Sequence, residues 1–77
     1  MVIGEIQKSK TQKIIVSKGE FRGREFIDLR IYYQAEKEEY KPTKRGIAIP
    51  PDKLEEIIKL LSDAKNAVLS EDETSNE

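Results

Sequence analysis

The chain has 77 residues, of which 38% are charged and 36% hydrophobic, and its formal net charge is −1. That length allows one small domain with a thin core, and the absence of cysteine and histidine excludes disulfide and zinc staples and leaves catalysis without its usual bases and nucleophiles. A domain so small and unstapled needs some other source of stability, and dimerisation is the device expected here.

Taken in order, Val2 to Gln7 forms either a strand of its own or an extension of the next one across Ser9-Lys10-Thr11. Lys13 to Lys18 (KIIVSK) is rich in β-branched residues and reads as a short strand. Gly19 to Gly23 reads as a hairpin turn. Arg24 to Gln34 is the longest strand candidate: Ile27, Leu29 and Ile31 share one face, and Phe26, Asp28, Arg30 and Tyr32 share the other. The apolar face should lie on the core, and the mixed face should meet solvent or a ligand. Ala35 to Glu39 is polar and reads as a turn. Tyr40 to Ile49 returns as one or two strands, with Pro42 and Gly46 marking a bend or an edge position.

Pro50-Pro51 then ends the strands. Pro51 suits the first position of a helix, and Asp52, Glu55 and Glu56 place negative charge where the helix dipole favours it. Leu54, Ile57, Ile58, Leu61, Ala64 and Val68 recur at helical spacing, and Leu60 and Ala67 widen the stripe. A stripe that wide fits a helix packed both on its own sheet and on a second copy, which makes Leu54, Ile57, Ile58, Leu60, Leu61, Ala64 and Val68 the candidate dimer interface. Residues 1–69 would form the domain, and the acidic segment 70–77 (SEDETSNE) a disordered tail. The fold class expected is α+β: a curved four-stranded antiparallel sheet followed by one amphipathic helix, β-β-β-β-α, with the helix on the apolar face.

Charge is unevenly spread. Lys8 to Arg45 holds eleven Lys and Arg against six Asp and Glu, whereas Gly46 to Glu77 holds three against eight. The first part suits an anionic partner and the second does not. Within the basic part, Phe21-Arg22-Gly23-Arg24 and Arg30-Ile31-Tyr32-Tyr33 interleave cations with rings, and Lys44-Arg45 follows at a bend. Single-stranded nucleic acid calls for that combination, since cations follow the phosphates and rings stack on unpaired bases of any identity. Plainer readings exist for each residue. Arg30 can pair with Asp28 or Glu25 on a solvated face, and Asp28, which would repel phosphate, is expected to pair with an arginine and orient it. Phe21 can be a satellite core residue. Tyr33 shares a side with Leu29 and Ile31, so it belongs to the core unless a bulge turns it outward. Glycines are spaced for turns rather than for a phosphate loop, and no cofactor or metal is implied.

The ordered set Phe-Arg-Gly-Arg, Ile-Asp-Leu-Arg-Ile-Tyr-Tyr, Lys-Pro-Thr-Lys-Arg-Gly-Ile and a Pro-initiated helix resembles the single-stranded-DNA-binding core of the transcriptional coactivator positive cofactor four, from about Lys13 to Val68. The resemblance implies a homodimer with grooves for single strands and carries binding roles onto Lys13, Phe21, Arg22, Arg24, Arg30, Tyr33, Lys44 and Arg45. Tyr33 stands where eukaryotic members usually have Trp. Met1 lies almost directly before the core, where those members carry a Ser/Lys-rich segment, which points to a prokaryotic or viral member.

Three functions follow as expectations: a largely sequence-independent single-stranded-DNA-binding protein in transcription regulation, replication or repair; an RNA-binding module; or an interaction module for an acidic protein partner. Transcription machinery is a further candidate partner. No apolar run is long enough to span a membrane and no signal-peptide core is evident, so the expected location is the cytoplasm at the nucleoid, or the nucleus of a eukaryote.

Overall fold

A computed structural model describes the backbone of residues 1–75 and the side chains of residues 1–68. Four strands, β1 (Val2–Gln7), β2 (Gln12–Phe21), β3 (Arg24–Glu36) and β4 (Glu39–Ile49), form one antiparallel sheet in sequence order. A 3-10 turn at Pro51–Lys53 leads into the helix α1, Leu54–Ser75. The order β-β-β-β-α matches the sequence reading, and the uncertain elements resolve: Val2–Gln7 is a separate strand and Glu39–Ile49 is a single one. The backbone of α1 continues past Leu69, so the segment expected to be a tail is helical as far as Ser75. Its last two residues lie outside the described residues.

Two expected turns shrink. β2 runs through Gly19 to Phe21, which pair Phe26 to Arg24, and the Phe26 ring lies over Gly19 in the space a side chain would fill: a Cβ there would stand 2.5 Å from the ring. The turn is only Arg22-Gly23, with φ of 56° and 79°. A two-residue loop with both φ positive is the type I′ geometry, whose twist matches that of the flanking strands. Similarly, β3 and β4 extend to Glu36 and Glu39, leaving Lys37-Glu38 as the second turn.

Register assigns the faces, since residues paired across strands point the same way. Ile14 pairs Ile31, Val16 pairs Leu29, and Ile27 and Leu29 pair Ile49 and Ile47, giving one apolar face. Lys13 pairs Tyr32, Ile15 pairs Arg30, Ser17 pairs Asp28 and Gly19 pairs Phe26, giving the mixed face. The division expected for β3 therefore holds residue by residue. Ile15 is the exception in chemistry: it is aliphatic on the mixed face, between Glu5 and Arg30, and only 8% exposed.

The helix departs from expectation. It is not laid along the apolar face of its own sheet. Leu54 and Ile57, at its base, are half-buried, while Ile58, Leu60, Leu61 and Val68 are exposed. Pro50 is extended (φ −68°, ψ 149°) and the 3-10 turn passes straight into α1, so no loop remains in which the chain could double back. The shape reflects this. The radius of gyration is 15.3 Å, against about 11–12 Å for a compact domain of this length. Among the described residues only Ile15 and Ile49 are buried hydrophobics. No helix among the described residues is long and apolar enough to cross a membrane.

Candidate nucleic-acid interface

The tip of the β2–β3 hairpin carries the first cluster. Phe21 and Arg24 are paired at the closing position of the turn, so both side chains emerge on the mixed face. Phe21 is 66% exposed and is not a core residue. Arg22 holds a left-handed backbone conformation, uncommon outside glycine, and its guanidinium lies over the Phe21 ring at 5.1 Å from the centroid. Arg22 and Arg24 are exposed. Beside them an open groove runs between the hairpin and the start of the helix, floored by Phe21, Phe26, Ala48, Pro50 and Pro51, with Arg24 on its wall. Glu20, Glu25 and Asp52 also line it, so the positive charge is local to the turn.

The second cluster is the irregular stretch of β4. Arg30 pairs Gly46 and Tyr32 pairs Pro42, so the segment of β4 between these pairs is longer than its β3 counterpart and the extra backbone bulges. Lys44 and Arg45 lie on that bulge and are exposed. Thr43 stitches it: its hydroxyl donates to the Ile31 carbonyl at 2.7 Å and accepts from the Arg45 N–H at 3.1 Å. Arg45 borders a shallow groove with Ile14, Leu29 and Ile31, which places it on the apolar side of the sheet. On β3 the two clusters are about six residues apart, roughly 20 Å along the strand.

Three residues from the sequence-derived set are differently situated. Lys13 is held by Glu5 at 3.3 Å and lies over the Tyr40 ring at 4.3 Å from its centroid. Arg30 is bound in a fork: Nε donates to Asp28 Oδ2 at 2.9 Å and Nη2 to Asp28 Oδ1 at 2.8 Å. This hydrogen-bonded carboxylate raises the Arg30 pKa above its ordinary value. The expected pairing of Asp28 with an arginine is therefore present. Tyr33 pairs Gln12 and Lys41 in unbroken register with β2, so no bulge turns it; it stays on the apolar side and is 44% exposed. Phe21 and Arg24 thus share the mixed face, and Tyr33 and Arg45 share the other. Sequence reasoning missed Thr43 and Tyr40, which position cations without being cations. Their only signal was place, one inside the Pro42–Gly46 bend and the other at its foot.

Residues 8–60, more than half of the chain, match the family model described as Transcriptional Coactivator p15 (PC4). The chain belongs to the PC4 family. Among solved PC4-family structures, the homolog from Burkholderia pseudomallei superposes with a TM-score of 0.80 at 35% identity, covering 84% of this chain and 96% of that one. A second crystal form of that homolog gives 0.81 at the same identity, with 84% and 88% covered. The bacteriophage T5 homolog of the eukaryotic coactivator, described as implicated in recombination-dependent DNA replication, gives 0.60 at 26% identity, with 95% and 80% covered. These relatives are bacterial and viral, in line with the prokaryotic or viral membership expected from sequence.

Proposed function

We propose that the protein is a dimeric, largely sequence-independent single-stranded-DNA-binding protein that acts where DNA strands are separated, in transcription regulation, replication or repair. It performs no catalysis in this reading; it holds and orders strands. The observation that carries it is the exposed Phe21 ring set among Arg22 and Arg24 on a tight two-residue turn. The ring is presented to solvent beside two cations, and an unpaired base with its phosphate matches both ring and cations. Lys44 and Arg45 supply a second cationic station, with Tyr33 on the Arg45 side of the sheet. The family description as a transcriptional coactivator and the replication link of the T5 relative favour DNA as the partner.

Dimerisation has separate support. Two buried hydrophobics among the described residues are too few to hold a chain of 77 residues. Ile58, Leu60, Leu61 and Val68 on α1 are more than half exposed, and the sheet's apolar face is only partly covered. A second copy covers such surface symmetrically.

The test is competition. A labelled mixed-sequence single strand is bound at fixed salt and challenged with the same strand unlabelled, with its duplex and with the equivalent RNA. The single strand should compete and the duplex should not. Equal competition by duplex would refute the proposal, and stronger competition by RNA would reassign the partner.

A further inference from the structure

We infer that Arg30 serves strand binding as a positioning residue: with Asp28 and Thr43 it forms a clamp of no net charge that fixes the β4 bulge presenting Lys44 and Arg45. The inference rests on the nucleic-acid reading above and assigns Arg30 a different role within it from that of phosphate ligand.

The geometry carries the assignment. Three of the five guanidinium donors are committed, two to Asp28 and one, from Nη1, to the Thr43 carbonyl at 3.0 Å. The first two bonds form the planar fork that arginine makes with a carboxylate. The third crosses from β3 to the bulge. Thr43 returns the connection, since its hydroxyl donates to the Ile31 carbonyl on β3 and accepts from the Arg45 N–H. The bulged residues are thus tied to β3 from both sides. Gly46 closes the device: a Cβ there would stand 2.6 Å from the Leu29 carbonyl oxygen and 2.8 Å from Arg30 Cζ, so β4 approaches β3 as nearly as backbone allows. Arg30 and Asp28 side chains are only 25% and 15% exposed. As a unit the pair carries no net charge, so it offers a phosphate little attraction. The free positive charge of this region belongs to Lys44 and Arg45, which the clamp holds in place.

The clamp and a direct phosphate contact predict opposite outcomes for Asp28→Asn. If Arg30 binds phosphate directly, removing the neighbouring carboxylate leaves affinity equal or higher. If Arg30 is a clamp, the fork weakens, the bulge loosens and affinity falls. The salt dependence should also flatten, by up to about 1.4 in log–log slope if Lys44 and Arg45 each cease to neutralise a phosphate. Asp28→Asn/Arg30→Gln, which keeps the pair at zero net charge, placed in a Lys44→Ala/Arg45→Ala background should then cost nothing further, whereas a direct contact would remove about 0.7 more of slope. Thr43→Val, which deletes only the hydroxyl function, should act like Asp28→Asn, and Thr43→Ser should restore binding. Amide exchange at Arg45 provides a readout independent of DNA: it should quicken in Asp28→Asn and Thr43→Val, in molecules whose melting shows they are still folded. Unchanged Arg45 exchange overturns the clamp whatever the binding result, and so does undiminished affinity in Asp28→Asn when the wild type binds. Failure of the wild type to bind any strand overturns the functional reading, and with it the clamp's place in binding.

Discussion

Replacing Phe21 with alanine separates stacking from packing and from charge. The ring is 66% exposed, so roughly one third of its surface is covered by the protein. Full burial of a Phe side chain contributes about 1.5–3 kcal/mol, and a third of that is about 0.5–1 kcal/mol. The melting midpoint should therefore fall by only several degrees for a domain of this size. Loss of a stacked base costs about 1–3 kcal/mol, which corresponds to a Kd higher by roughly 5- to 150-fold. The effect on binding should exceed the effect on stability. The two are read by fluorescence anisotropy of a labelled single strand across a salt series and by thermal unfolding of the same samples. Because a ring releases no counterions, the log–log slope should match that of the wild type, whereas Arg24→Ala should flatten it by about 0.7 for one phosphate contact. Flattening in Phe21→Ala equal to that in Arg24→Ala would refute the reasoning. The ring would then be a packing element whose loss disorders the turn that bears Arg22 and Arg24.

Leu61→Glu should convert the proposed dimer into unfolded or aggregated chain rather than a stable monomer, as seen by sedimentation, because the sheet alone buries too little; a well-folded monomer would contradict this. Gly46→Ala should lower stability by about 1–3 kcal/mol in thermal or urea unfolding, since neither the Leu29 carbonyl nor the Arg30 fork can retreat freely. Strand affinity should be flat between about pH 5.5 and 7, because the chain has no histidine side chain to titrate there. Lys18, hydrogen-bonded to Glu25, and Arg30 both have pKa values raised above their ordinary ones. Their contribution to stability is present below those ordinary values and is lost only as pH rises beyond them. A midpoint near neutrality in the anisotropy series would contradict this.

The strands and their faces were legible because β3 alternates with period two from Phe26 to Tyr32, and register has only to preserve that alternation. The same parity placed Tyr33 beside Leu29 and Ile31, and the unbroken pairing with Gln12 keeps it there. The hairpin turn was read too wide because glycine ordinarily marks a turn. At Gly19 it instead makes room for the Phe26 ring, a cross-strand contact that no local pattern encodes. The Asp28–Arg30 pairing was foreseeable from two residues on one strand face, but the bond from Arg30 to the Thr43 carbonyl was not, because it depends on where β4 bulges. The helix stripe was visible in Leu54 to Val68, yet its width gives no sign of what covers it. Extended Pro50 and the absence of a loop kept it off the sheet of its own chain.

The most direct test follows backbone amides by NMR as a single strand, and separately its duplex, is added to the protein. The single strand should shift resonances at residues 21–24 and 43–46, leave the outer strand Val2–Gln7 unmoved, and produce far more change than the duplex at equal concentration. Shifts confined to β1 or α1, or the same pattern with duplex, would contradict strand binding at the exposed ring of Phe21 and at the cations of the turn and the bulge.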